Sequence, residues 1–129
     1  MTSIHQEIRL PARPSRIYDA YMDAKEHATF TAGGAVTIDP APGGAFSTHG
    51  GVISGRTIEL VPNQRIVQAW RVGNWPEGVY SIVRIELVAD GDGTKLVLDH
   101  AGFPEDQGKH LDQGWHARYW EPLRKHLAS

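Results

Sequence analysis

A chain of 129 residues, 40% of them hydrophobic, is long enough for one domain with a true core and too short for two. A formal net charge of −2 and a pI near 6.4 give no basic field for a phosphate backbone and no polybasic run for an anionic membrane, so no nucleic-acid partner is expected. The absence of cysteine excludes disulfides and thiol catalysis; with no apolar signal core in MTSIHQEIRLPARPS and no window of spanning length, the expectation is a cytoplasmic protein without membrane insertion.

The first element is a strand, because Ile4, Ile8 and Leu10 alternate with His5, Glu7 and Arg9. Pro11 and Pro14 end it, and SRIYDAYMDAKEHATF then places Ile17, Ala20, Tyr21 and Ala24 at helical spacing, which predicts a pair of short helices. From Gly33 the chain breaks into short runs between turns, GAVTID, AFSTHGG, TIELV, RIVQAWRV, VYSIVRIEL and TKLVLDH, read as about six more strands. Residues 104 to 127 form one long helix with Pro104 near its start and Pro122 as a kink. No repeat or linker interrupts 1–129, which is read as a single α+β domain.

Two hairpins can be put in register. Closing DGDG on Gly91-Asp92 sets Leu87 against Leu96, Ile85 against Leu98 and Val83 against His100 on one face, with Arg84 against Asp99 on the other. The apolar face is the inner one, so Asp99 pairs outside with Arg84 while His100 points inward; adjacent strand residues project oppositely and cannot form a catalytic dyad. The hairpin at Pro62-Asn63 is ambiguous. Its simplest register groups Thr57, Glu59, Ile66, Gln68 and Trp70 on one face and Arg56, Ile58, Leu60, Val67, Ala69 and Arg71 on the other. Apolar counting favours the second group as inner. The first would place a carboxylate, an amide and an indole inside, at a cost unless they meet water, His100 or a ligand.

Along the terminal helix, Leu111, Trp115, Tyr119 and Leu123 share one stripe, with His116, Trp120 and Leu127 at its edge. This apolar face is suited to cover a curved sheet, whose inner residues would otherwise stay in water at about 25 cal/mol per Å². Motifs for other chemistries are missing. The seven histidines give no metal-ligand set, since Asp112 and His116 form just one i, i+4 pair; PGGAF and HGGVISG lack a phosphate-loop ending; Ser47, Ser54 and Ser81 have no nucleophile elbow around them. Trp75, in GNWPEG, is read as a cap on its hairpin.

The ordered set GGAF, GRTIELVPNQRIVQAW, SIVRIEL, GTKLVLDHAGF and Gly114-Trp115 resembles homologues of the activator of heat shock protein 90 ATPase, a branch of the START-related, birch-pollen-allergen-like proteins. The resemblance covers most of the chain. It implies a helix-grip fold: a seven-stranded curved antiparallel sheet around a long carboxy-terminal helix, with two short helices between strands one and two. The acid, tryptophan and histidine recurring in the family's pattern fall on Glu59, Trp70 and His100, which favours the polar-lined reading of the second hairpin.

The resemblance further implies a cavity between sheet and helix for a small hydrophobic, lipid- or polyketide-like molecule. The side chains expected to line it are Glu59, Gln68, Trp70, Ser81, Val83, His100, Trp115 and Tyr119. FTAGGAV is light in aromatics, so one wall is expected to be more open. A binding or carrier protein without cofactor is the first reading. The alternatives are a cyclase- or hydrolase-type enzyme with His100 and Glu59 as acid and base, or a chaperone-modulating protein. The last is not favoured, because the chain resembles only the activator's carboxy-terminal part. An exposed sheet edge leaves a homodimer open.

Overall fold

In the computed structural model, which describes residues 2–128, seven strands form one antiparallel sheet in the order β1-β7-β6-β5-β4-β3-β2. They are β1 (Ser3–Leu10), β2 (Thr37–Ile38), β3 (Ala45–Thr48), β4 (Ile53–Val61), β5 (Arg65–Val72), β6 (Ser81–Asp90) and β7 (Gly93–Ala101). Helices α1 (Pro14–Met22) and α2 (Ala24–Thr31) lie between β1 and β2, and α3 (Gly108–Trp115) and α4 (Glu121–Ala128) follow β7. The α+β helix-grip expectation holds.

The β6–β7 hairpin has the register its turn dictates, with Asp90 opposite Gly93, Leu87 opposite Leu96, Ile85 opposite Leu98 and Val83 opposite His100. Outside, Arg84 meets Asp99 at 3.1 Å. The amino-terminal strand completes this half of the sheet by pairing with β7, Ile4 against His100 and Leu10 against Thr94. Asp23 separates the short helices: its backbone is extended, and its carboxylate accepts from the Glu26 N–H at 2.8 Å, an N-cap that starts α2.

The second hairpin follows neither simple register throughout. On β5, Ile66, Gln68 and Trp70 face inward, against the apolar count. Opposite them, β4 bulges: Thr57 pairs with Gln68, but the next pair is Glu59 with Val67, so Ile58 is the extra residue. The bulge reverses the phase of everything after it. Thr57 points in, Leu60 lies opposite Ile66, and Glu59 is turned to the outer face, where its carboxylate accepts from Arg65 at 2.8 Å. The expectation that Glu59 faces the interior is corrected by this one-residue insertion. Gly55, opposite Trp70, sits where any Cβ would run into the Ala69 carbonyl, so only glycine lets the two strands approach there.

The terminal helix begins with a 3₁₀ turn, Glu105–Gln107, and runs through α3, a π turn (His116–Trp120) and α4. Its widened turn has an identifiable cause. Pro122 has no N–H to donate, and in a regular α-helix its ring would press on the carbonyl of residue 118. Instead the Glu121 N–H bonds the His116 carbonyl, an i to i+5 bond. The expected kink is thus a π bulge, and it moves the buried stripe by one residue: Trp115 and Trp120, five apart, stack with centroids 5.3 Å apart and planes 16° apart. Trp120 is fully buried rather than at the edge, and its indole N–H donates to Gln6 Oε1 at 2.7 Å.

Because Glu59 is exposed and its Arg65 partner lies at the surface, Glu59→Ala is expected to change unfolding free energy in urea by no more than about 0.5 kcal/mol. A loss several times larger would mean that the carboxylate has an interior role.

Candidate functional site

The interior between sheet and helix is crossed by a chain of polar contacts centred on His100. Trp115 Nε1–H donates to His100 Nδ1 at 3.0 Å, which makes Nδ1 the acceptor and puts the ring proton on Nε2. Nε2–H then donates to Ser81 Oγ at 2.7 Å, and Ser81 donates onward to the Trp70 carbonyl at 2.9 Å. Both ring nitrogens are used. Trp70, Phe103 and Trp115 surround the imidazole edge to face, and burial lowers its pKa from 6.5 to about 4. His100 is therefore neutral at physiological pH, with no free nitrogen for proton transfer. The acid and base reading fails on geometry, since its intended partner Glu59 lies on the other side of the sheet.

A second chain starts at His27. Its Nδ1 faces the Tyr21 carbonyl at 2.8 Å and must donate, so the neutral ring accepts at Nε2 from the Tyr119 hydroxyl at 3.3 Å. Tyr119 in turn accepts from Thr48 Oγ1 at 3.4 Å, and Thr48 accepts from His49 Nδ1–H at 3.3 Å. Burial lowers the His27 pKa to about 4, as for His100, and raises the Tyr119 hydroxyl. The chain ends at His49 Nε2, a buried nitrogen without a hydrogen-bond partner. His49 is also held at φ +52°, a left-handed conformation rare for a residue with a side chain, and its ring packs so tightly on Gly33 that no Cβ would fit there.

Next to both chains is a pocket of about 270 Å³. Its buried wall is Ile53, Trp70, Leu111, Trp115 and Tyr119, and its exposed rim includes Val52, Asn74, His110 and Arg118. Gly33, from the aromatic-poor FTAGGAV segment, is part of the lining. Trp70 Nε1, like His49 Nε2, is buried without a partner.

Of the residues expected to line a cavity, Trp70, Trp115 and Tyr119 lie in this wall. Ser81 and His100 belong to the polar chain beneath it, Val83 is solid core, and Gln68 is buried and accepts from the Tyr21 hydroxyl at 3.3 Å. Trp75 is buried against Trp70, with centroids 5.8 Å apart, rather than exposed at a mouth. Sequence reading assigns His49, His110 and Arg118 to no site. It also passes over Gln6, whose amide accepts from Trp120 and donates to the Asp112 carbonyl and carboxylate at 2.9 Å. Gln6 was visible by parity, since it occupies the inward position between Ile4 and Ile8. His49 and Arg118 had no such signal, because a loop and a π bulge place them.

A curved seven-stranded sheet closed by a carboxy-terminal helix, with a pocket between them, defines the START-like, helix-grip class. The chain belongs to the family described as Activator of Hsp90 ATPase homolog 1-like protein, which it matches over residues 11–128. It is 29% identical over 112 residues to the human "Activator of 90 kDa heat shock protein ATPase homolog 1", covering 87% of this chain and 33% of that protein. It is 35% identical over 103 residues to the Dictyostelium discoideum homologue, covering 79% and 27%. The chain thus spans about a third of the length of these curated relatives. Among solved structures, an HSP90 activator from Plasmodium falciparum superposes with a TM-score of 0.94 at 24% identity, over 99% of this chain and 97% of that one. The Aha1 dimer from Colwellia psychrerythraea gives 0.80 at 20% identity, over 96% and 94%.

Two pH effects follow from the buried histidines. Between pH 6.5 and about 4 the unfolded chain binds protons on His27 and His100 that the folded protein refuses, so stability is full above pH 6.5 and falls as pH drops through this window. Each shift of that size corresponds to roughly 3 kcal/mol. Exposed His5, whose pKa is raised by Asp99 and Glu7, opposes the trend weakly. Urea midpoints measured from pH 8 to 4 are expected to fall accordingly. His100→Phe is expected to cost about 2–3 kcal/mol at pH 7 by stranding the Trp115 N–H, and to flatten the pH slope. An unchanged slope in that variant would contradict the assignment.

Proposed function

We propose that this domain is a binding module for a small, largely apolar molecule, held in the pocket between α3 and the β4–β5 side of the sheet. The observation that carries this reading is the pocket itself: an aromatic and aliphatic wall, a polar rim and about 270 Å³ of room. That volume lies just below the ~300–1,000 Å³ of pockets for drug-sized ligands, so the occupant is a single ring or a short chain rather than a long lipid.

A second reading, modulation of an Hsp90-type ATPase, is favoured by the family and by the Plasmodium falciparum protein, whose chain this domain covers almost entirely and which is described as an HSP90 activator. A single domain of this size is therefore a candidate activator by itself. Its contact surface would be the outer face of the sheet, where Ile58, Tyr80, Ile82 and Val88 are about half exposed.

Native mass spectrometry of gently purified protein, compared with the denatured mass, tests the first reading. A stoichiometric small-molecule adduct lost in Leu111→Trp, which fills the pocket, is the expected result. An adduct retained by that variant would place the ligand elsewhere. For the second reading, an Hsp90-type ATPase should turn over faster with the wild-type domain and lose the effect with Ile82→Asp. No stimulation at saturating domain would reject it.

A further inference from the structure

The charge around the pocket restricts what it takes. Arg118, His110 and His49 line it, whereas no aspartate or glutamate does among the described residues. On the outer sheet, by contrast, Arg65 is paired with Glu59 and Arg84 with Asp99, while Arg56 and Arg71 donate to backbone carbonyls. Arg118 makes no hydrogen bond or ion pair with any described residue. A free guanidinium beside an apolar wall is a built selector for a carboxylate, which it meets with two parallel N–H donors.

His49 sharpens the placement. Its hydrogen-bond chain leaves Nε2 as a bare lone pair, and burial together with the Arg118 charge holds the ring below the ordinary imidazole value. At neutral pH it therefore adds no positive charge, which leaves Arg118 as the cation of the lining.

We propose that the pocket takes a small carboxylate-bearing amphiphile, its ring or short chain against Trp70, Leu111 and Trp115 and its carboxylate held by Arg118 at the mouth. This inference rests on the small-molecule reading above and names the class of ligand. Selectivity comes from a single exposed cation over an apolar floor, so a neutral molecule of the same shape enters but binds more weakly.

The test compares 3-phenylpropionate with the neutral 3-phenylpropanol by ¹H–¹⁵N spectroscopy of the tryptophan indole N–H groups, Trp70 being assigned by its loss in Trp70→Phe. The acid should shift the Trp70 signal and bind about tenfold tighter than the alcohol, the fold-change expected for one charge-assisted contact. Arg118→Gln, a surface change checked by its thermal midpoint, should remove that preference by weakening acid binding about tenfold. Octanoate in place of the ring distinguishes a chain from an arene as the preferred body. Equal binding of acid and alcohol, or an unchanged preference in Arg118→Gln, would overturn the anion assignment and leave the pocket reading standing. Failure of every probe to shift Trp70 at millimolar concentration would overturn both.

Discussion

The structure depends on one interaction, the line of hydrogen bonds from the Trp115 indole through His100 and Ser81 to the Trp70 carbonyl. It connects the terminal helix to β7, β6 and β5 in the place where an all-apolar interface would let the helix slide or rotate. Each donor and acceptor along it is used once and in one direction. A buried network so satisfied specifies a single docking of helix on sheet, whereas a half-satisfied one would cost more than it contributes. Gln6, between Trp120 and Asp112, fixes the same helix against β1. The helix is thus pinned at two levels, and the π bulge between Trp115 and Trp120 lets both pins engage.

This pinning separates structure from function within the interior. His100 resembles a catalytic residue by composition, since it is a buried histidine beside a serine. Its neutrality and its two occupied nitrogens make it a clasp instead. The pocket lies beside the clasp, lined by the same Trp70 and Trp115 that take part in the polar chain. The second polar chain, from His27 through Tyr119 to His49, borders the same pocket and ends on an unsatisfied nitrogen. Family membership is consistent with either a ligand or a protein partner, and the two need not compete: the pocket is under the helix, while Ile58, Ile82 and Val88 are exposed on the outer face of the sheet.

What was legible in the sequence was whatever has a strict period. The alternation in β6 and β7, with a DGDG turn to fix the register, determined that His100 points in and Asp99 out. The terminal stripe determined which helix face is buried. What was not legible depends on single-residue breaks in period. The bulge at Ile58 turned Glu59 outward, and a count of alternating residues cannot see an insertion that leaves both strands looking regular. The π turn had a visible cause in Pro122, yet its consequence, exchanging a four-residue for a five-residue spacing, follows only once Trp120 is seen to fill the core. His49 lies in a left-handed loop residue and Arg118 on the widened turn, so both pocket residues were placed by irregularities.

The central claim is that His100 is a neutral clasp with its proton on Nε2. The most direct measurement is a long-range ¹H–¹⁵N correlation of the histidine rings, followed from pH 8 to pH 4 with His100 assigned by substitution. A single Nε2–H tautomer that persists without titrating until the pH approaches 4 is the result predicted. Titration near 6.5, or a proton on Nδ1, would contradict the hydrogen-bond chain and return His100 to the list of groups able to act on a ligand.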